Sequence, residues 1–161
     1  MEHAVYGGAA AAALYPALGG AGSLCFWGAS VLIDIDHYID FVYHNGFTDL
    51  SVRKMFDYHA VLMRWWRKPQ FLNIEVFHTI EFMAPLCLLA WRTGSGALMA
   101  ASLGFAFHIV LDAASLALAG VPFIRAHSFV EYFLRKRALG RQGLNPAELC
   151  REAVRLINQG D

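Results

Sequence analysis

The segment SVLIDIDHYID at residues 30–40 places three aspartates and a histidine at the end of a stretch, residues 4–33, that contains no charged side chain. Asp34, Asp36 and His37 carry carboxylate and imidazole groups, which together are typical ligands of divalent transition metals. Such groups are costly inside hydrocarbon. Two interpretations therefore compete: the apolar segment leaves a membrane at this point, or these side chains bind a cation.

Two later segments repeat the same residue types at helical spacing. Glu81 follows His78 by three positions, and Asp112 follows His108 by four, so each pair shares one face of a helix. Histidine and carboxylate at these spacings are found in helical metal sites. His108 and Asp112 also lie deep in an apolar run, where a simple exit from the membrane would not place them. The sequence therefore favours a cation site.

The composition separates this chain from ordinary soluble domains. Its 161 residues are 57% apolar and 16% charged, against roughly 45–50% and about 25% in typical soluble proteins. The net charge is zero, which excludes a strong overall attraction to nucleic acid. We expect a small integral membrane protein, and a soluble, very apolar helical domain is the alternative.

Glycine clusters divide the apolar sequence into two helical hairpins. The turn at residues 19–22 separates helices predicted at about 3–18 and 22–36, and RTGSG at 92–96 separates helices at about 72–91 and 97–119. The predicted fold class is therefore an all-α, integral membrane helical bundle, with residues 1–120 as the membrane-embedded domain.

Basic and aromatic residues predict the remaining elements. Residues 38–75 form an interfacial amphipathic connection, and residues 121–161 form basic amphipathic helices, the last of which begins at Asn145-Pro146. Lys and Arg are concentrated in these two regions, so the positive-inside rule places the N-terminus and the site on the cytoplasmic side. We expect a multi-pass protein of a bacterial-type cytoplasmic (inner) membrane.

The hairpin symmetry predicts which histidines meet. His3 and His37 are equally far from the first turn, and His78 and His108 are equally far from the second. The predicted ligands are drawn from this set and its neighbours: His3, Asp36, His37, His78, His108 and Asp112. Asp34 and Glu81 are the predicted catalytic groups. The mixed donor set favours zinc, with iron or manganese as alternatives. Each residue alone also fits a structural role, as a buried hydrogen-bonding histidine or a helix-capping aspartate.

Two function classes follow from such a site. One is a hydrolase in which metal-activated water attacks an ester or phosphoester of a membrane-associated substrate. Basic residues beside the site would attract anionic lipid head groups, so membrane lipids are the expected partners. The alternative is a non-catalytic membrane protein whose His/Asp cluster is structural or handles metal ions. The apolar helices offer almost no polar path, which disfavours a transporter.

The segments LIDIDH, FHTIEFMAPL and FHIVLDA, with His3 opening the first helix, resemble the membrane-bound metal-dependent hydrolases of the inner membrane. The resemblance covers roughly residues 1–120. It implies that Asp34, Asp36 and His37, then His78, then His108 and Asp112 stand at metal-site positions. Ile33 stands where that family has proline, and its His-Arg-Gly segment is absent. A weaker similarity is to zinc-dependent phospholipase C, which also combines an N-terminal ligand with helical His-x-x-x-Asp.

Overall fold

The computed structural model describes residues 2–159, most of which are helical. The helices are α1 (Glu2–Leu32), α2 (Ile35–His44), α3 (Val52–Trp65), α4 (Ile80–Thr93), α5 (Gly96–Leu118), α6 (Phe129–Arg141) and α7 (Pro146–Gln159). Two strands of two residues each, β1 (Asn73–Ile74) and β2 (Arg125–Ala126), pair in parallel. The prediction of an all-α fold is confirmed.

The chain forms two compact units. The first unit contains residues 2–34 and 76–122, and therefore α1, α4 and α5. The second unit contains residues 35–75 and 123–159, with α2, α3, α6, α7 and both strands. Residues 38–75 thus pack with the C-terminal helices, and α3 lies against α7.

The predicted first hairpin is present within α1. Gly19 has φ 67° and ψ 179°, a conformation that interrupts the helix and that glycine adopts without steric cost. The two arms, residues 2–18 and 20–32, fold back on each other, since the indole N–H of Trp27 donates to the carbonyl of Ala4 at 3.0 Å. Gly7 lies against Ser30, so closely that a Cβ at Gly7 would overlap the Ser30 hydroxyl.

Close packing of small residues joins α5 to the hairpin. A Cβ at Gly104 would overlap the backbone carbonyl of Phe26, so only glycine allows this approach. Ala11, Phe26 and Ala100 form the buried centre of the contact, and Phe107 packs beside them. This packing fixes the height of α5 against the second arm of α1, and with it the position of His108.

The second hairpin joins α4 and α5 as predicted, but α4 begins later than expected. Gly94 ends α4 in the left-handed conformation, and Ser95 caps α5 by accepting the Leu98 N–H. The predicted helix start at residue 72 is wrong, because β1 and a 3₁₀ turn (Val76–His78) occupy residues 73–78. Thr79 is in an extended conformation and is the N-cap of α4.

Buried polar contacts organise the second unit. The Tyr58 hydroxyl is fully buried and donates to the Asp40 carboxylate at 2.9 Å, while the same carboxylate accepts from His44 at 3.0 Å. The Tyr58 hydrogen bond joins α3 to α2, and the His44 contact lies within α2. The predicted cap of α7 is also present, because the Asn145 side chain accepts the Ala147 N–H at 3.1 Å.

Two segments are long and apolar enough to cross a membrane: His3–His44, which runs through α1 and α2, and Gly96–Leu118, which is α5. Only 28% and 22% of their most apolar windows are buried by the fold, so most of their apolar surface faces outward. α4 has 14 residues and is about 21 Å long, which is shorter than the hydrocarbon core of about 30 Å.

Candidate metal centre

His108 is the centre of a polar cluster in the first unit. Its side chain is fully buried in the middle of α5, and its Nδ1 lies 2.7 Å from the carbonyl oxygen of Ser30. Because a carbonyl oxygen can only accept, Nδ1 carries the proton and donates. With Nδ1 bonded to Ser30, Nε2 is the nitrogen that faces the cluster, which is how a second hydrogen bond orients a metal-ligating histidine.

Carboxylate oxygens and a second imidazole surround this nitrogen. His108 Nε2 lies 3.3 Å from Asp34 Oδ1, 3.7 Å from Asp112 Oδ2 and 3.2 Å from His3 Nδ1. Asp112 is also 3.4 Å from His3 Nε2 and 3.5 Å from His78 Nε2. Several electron-pair donors thus converge at one point, and a positive charge there would stabilise them.

The converging atoms meet the spatial requirement of a metal site. Two groups, His3–His108–Asp112 and Asp34–His78–His108, each offer three ligand atoms within 4.8 Å of one another. They share His108, so they describe two overlapping halves of one cluster. These residues could hold a metal ion.

The cluster is buried on one side and open on the other. The side chains of His108 and His78 are 0% and 2% exposed, whereas those of His3 and Asp34 are 27% and 40% exposed. The buried histidines therefore form the floor of the site. His3 and Asp34 form a rim that water or a substrate can reach.

Three elements supply these residues. His3 and Asp34 lie at the two ends of the α1 hairpin, so the break at Gly19 is what brings them together. His108 and Asp112 are one turn apart in α5, and His78 ends the 3₁₀ turn before α4. The predicted proximity of His78 and His108 is confirmed, with ring centroids 5.3 Å apart. His3 contacts His108 within the first unit. Its predicted proximity to His37, which belongs to the second unit, stays a prediction.

Of the other predicted site residues, two belong to the second unit and one to α4. Asp36 and His37 belong to the second unit, where Asp36 is buried in the first turn of α2. His37 Nδ1 is 3.3 Å from Glu75 Oε1, and the His37 ring packs on His59. Glu81 is exposed in the first turn of α4, and among residues 2–159 it joins none of the groups of close ligand atoms. Ligand roles for Asp36 and His37 and a catalytic role for Glu81 stay predictions.

Sequence reasoning missed two features. One is the Ser30 carbonyl, a backbone group that no residue pattern reveals. The other is Glu75, a buried carboxylate of the second unit that pairs with Arg125 at 2.7 Å as well as with His37. The sequence indicates Glu75 only by its position, as a single acidic residue between the apolar segments FLNI and VFH.

The pKa of His59, beside His37, is lowered chiefly by burial and then by the neighbouring His37. The Nε2 of His59 donates to the His37 carbonyl at 3.1 Å. This pair thereby ties α3 to α2 near Glu75 within the second unit.

No family model, curated protein or solved structure matches this chain. What this chain can do chemically is indicated by the residues of the cluster, by their burial and by the surface of the helices that carry them.

Proposed function

We propose that this chain is a membrane-bound, metal-dependent hydrolase that acts on an ester or phosphoester of a membrane-associated substrate. The observation that carries the proposal is the convergence of His3, Asp34, His78 and Asp112 around His108 Nε2. The hydrogen bond from His108 Nδ1 to the Ser30 carbonyl supports it, because a merely buried histidine does not need its second nitrogen aimed at carboxylates.

The donor set fits zinc best, with iron or manganese as alternatives, because imidazole and carboxylate suit all three. The cluster offers five side chains, more than one closed four-coordinate site uses. This excess favours an open or dinuclear site, and each group of three close ligand atoms would leave a position for water, as catalytic sites do.

The side chains have separate roles in this proposal. A bound divalent metal would acidify water and polarise the scissile bond. Asp34 is the most exposed carboxylate of the cluster and is placed at its rim, so it is the first candidate to accept the proton of a water molecule. Asp112 contacts both His3 and His78 and would hold them in position. Glu81 is the second candidate base.

The helix surfaces support a membrane location. Large apolar side chains of the first unit point outward along α1 and α5, among them Val5, Leu24, Val110 and Leu118. The two arms of α1 are about 25 and 20 Å long, so they suit a hairpin that enters the bilayer and returns. Basic residues after residue 120 and between residues 38 and 75 favour a cytoplasmic location for the site in a bacterial-type inner membrane.

The first experiment measures metal. Purified wild-type protein, His108→Ala with Asp112→Ala, and the control His127→Ala are compared by elemental analysis after identical loading with zinc, iron or manganese. The wild type and the control should retain one of these metals and the double variant should lose it. His127 is a suitable control because it is exposed and lies outside the cluster. Equal metal content in all three proteins would remove the proposed site.

The second experiment measures turnover. Metal-loaded wild type and Asp112→Asn are incubated in detergent with phospholipids and with generic phosphoesters and esters. Hydrolysis by the wild type that is lost in the variant supports the hydrolase. If the wild type holds metal but hydrolyses none of these substrates, the non-catalytic alternative replaces it, with a cluster that is structural or handles metal ions.

A further inference from the structure

The turn between α2 and α3 presents a phenylalanine in an unfavourable backbone conformation. Phe47 has φ 61°, and it is the one non-glycine residue with positive φ in the described range 2–159. Its side chain is nevertheless 70% exposed. An exposed phenylalanine gains little stabilising contact from the protein at such a position. Glycine or asparagine adopts this backbone conformation at a lower cost. Strain of this kind is a feature of functional positions.

The turn is rigid, so Phe47 is held outward. The Asn45 side chain accepts the Thr48 N–H at 3.0 Å and donates to the Asp49 carbonyl at 2.7 Å. Asp49 in turn accepts the Ser51 N–H at 2.8 Å and pairs with Lys54 at 3.2 Å. These bonds bridge the whole turn, because they run from its first residue into the first turn of α3.

Two further bonds attach the turn to α2. The Phe47 N–H donates to the Val42 carbonyl at 3.0 Å, and the Tyr38 hydroxyl donates to the Leu50 carbonyl at 2.8 Å. Backbone groups of the turn thus make hydrogen bonds within the protein. The surface that the turn exposes is formed by apolar side chains.

Exposed apolar residues flank Phe47 on both sides. Ile39 and Tyr43 are one turn apart on α2, and Val52 and Phe56 are one turn apart on α3. With Leu50 in the turn, they form what we call the Phe47 surface: Ile39, Tyr43, Phe47, Leu50, Val52 and Phe56. All six are exposed. Such a surface needs an apolar partner.

The charges along α3 favour lipid as that partner. Arg53 adjoins the Phe47 surface, and Arg64 and Arg67 follow at the far end of α3, so residues 52–68 carry three exposed arginines against one exposed carboxylate, Asp57. Basic side chains next to exposed aromatic and aliphatic ones are typical of surfaces that lie in the head-group region of an anionic membrane. The surface also follows α1 directly in the chain, and α1 belongs to a segment apolar enough to cross a membrane.

We infer that the Phe47 surface inserts into the boundary between head groups and acyl chains of an anionic bilayer, with Phe47 deepest. This inference rests on the membrane location in the proposed function, but not on the metal site or on hydrolysis. It gives the second unit a membrane contact of its own.

The test measures lipid contact at single positions. In full-length protein with Cys25, Cys87 and Cys150 replaced, a fluorescent bimane is attached at Phe47→Cys, at Leu24→Cys on the exposed side of α1, or at Glu152→Cys on the exposed side of α7. Each protein is placed in nanodiscs of mixed zwitterionic and anionic lipid. Quenching by brominated acyl chains and by aqueous iodide is then compared.

We expect brominated lipid to quench the labels at positions 24 and 47 and to spare the label at position 152, with the reverse order for iodide. Without anionic lipid, quenching at position 47 should weaken while that at position 24 is unchanged. Lipid quenching at position 24 but not at 47 would overturn the inference and leave the membrane location standing. The absence of quenching at both positions would overturn both.

Two further outcomes would also contradict the inference. A label at position 47 that is protected from iodide and from brominated lipid is covered by protein, and a second copy of this chain would then be the occupant. Quenching at position 47 that does not depend on anionic lipid would remove the role assigned to the arginines.

Discussion

The contact between Gly7 and Ser30 makes the hairpin in α1 testable with one methyl group. A Cβ at Gly7 would approach the Ser30 hydroxyl to less than 3.0 Å, a distance that real Cβ atoms essentially never show. Gly28 lies in the second arm of the same helix, and a Cβ there would meet nothing within 4 Å. Gly7→Ala and Gly28→Ala are therefore a matched pair that differ only in what the new methyl group touches.

The two variants should change the free energy of unfolding differently. Gly28→Ala should stabilise by about 1 kcal/mol, the usual helix-propensity gain of alanine over glycine. Gly7→Ala makes the same gain but overpacks a buried contact, which costs about 1–3 kcal/mol. The Ser30 hydroxyl can avoid the new Cβ only by rotating, and this rotation breaks its 2.8 Å hydrogen bond to the Trp27 carbonyl, which is worth about 1 kcal/mol. The two variants should therefore differ by about 1–3 kcal/mol.

A double variant identifies the cause. Removing the hydroxyl in Gly7→Ala with Ser30→Ala leaves the Cβ of residue 30 as the nearest atom, at 3.4 Å, which is ordinary contact. The double variant should recover most of the lost stability. Unfolding in detergent, followed by circular dichroism, measures all four proteins. If Gly7→Ala stabilises as much as Gly28→Ala does, the two arms of α1 are not in contact and the hairpin is refuted.

Two further substitutions test other parts of the fold. Gly104→Ala would place a Cβ against the Phe26 carbonyl, a backbone group that cannot rotate away. We therefore expect the free energy of unfolding, measured by thermal unfolding, to fall by about 3 kcal/mol. An unchanged stability would contradict the described packing of α5. The pKa of Glu131 is lowered because its carboxylate accepts the backbone N–H of His127. A lowered pKa in the folded state means that this stabilisation of α6 is present above the ordinary value of about 4.5 and is lost as the pH falls. The protection factors of the α6 amides, which correct for the pH dependence of intrinsic exchange, should therefore fall on acidification in the wild type but change less in Glu131→Gln.

Sequence reasoning succeeded where a local signal determines the structure. The breaks at Gly19 and Gly94 need positive φ, which glycine supplies, so glycine clusters marked both turns. The i,i+4 spacing of His108 and Asp112 placed them on one face of α5 without any knowledge of the rest of the fold. The long apolar run of α5 likewise fixed its ends to within a residue.

It failed where the outcome depends on distant residues. Residues 73–74 form a strand only because residues 125–126 pair with them. No periodicity in FLNIEVFH indicates that these residues have a pairing partner. The pairing of His3 with His37 assumed that the arms of the hairpin match symmetrically about residue 20. Within the hairpin, Ala4 contacts Trp27 and Gly7 contacts Ser30, two pairs with different midpoints, so a residue count from the turn does not determine which side chains meet. The proximity of His3 to His37, which belongs to the second unit, stays a prediction.

The hydrogen bonds around His3 call for a positive charge in the cluster. His3 Nδ1 faces His108 Nε2 at 3.2 Å, and His3 Nε2 faces Asp112 Oδ1 at 3.4 Å. A neutral imidazole has one N–H, so it cannot donate in both directions, and His108 has already committed its own proton to Ser30. The cluster therefore requires an added positive charge, either a second proton or a metal ion.

Asp112→Asn distinguishes these two cases. In a hydrogen-bonded cluster, an amide replaces the carboxylate in shape but not in charge, so the variant loses stability whether or not metal is present. In a metal site, Asp112→Asn is less stable than the wild type only when metal is present. At a metal concentration 100 times the Kd, metal should raise the free energy of unfolding of the wild type by about 2.7 kcal/mol over that of chelated protein, and that of the variant much less. Unfolding of both proteins with chelator and with metal measures the difference. An equal loss under both conditions would show that the charge at this site is a proton.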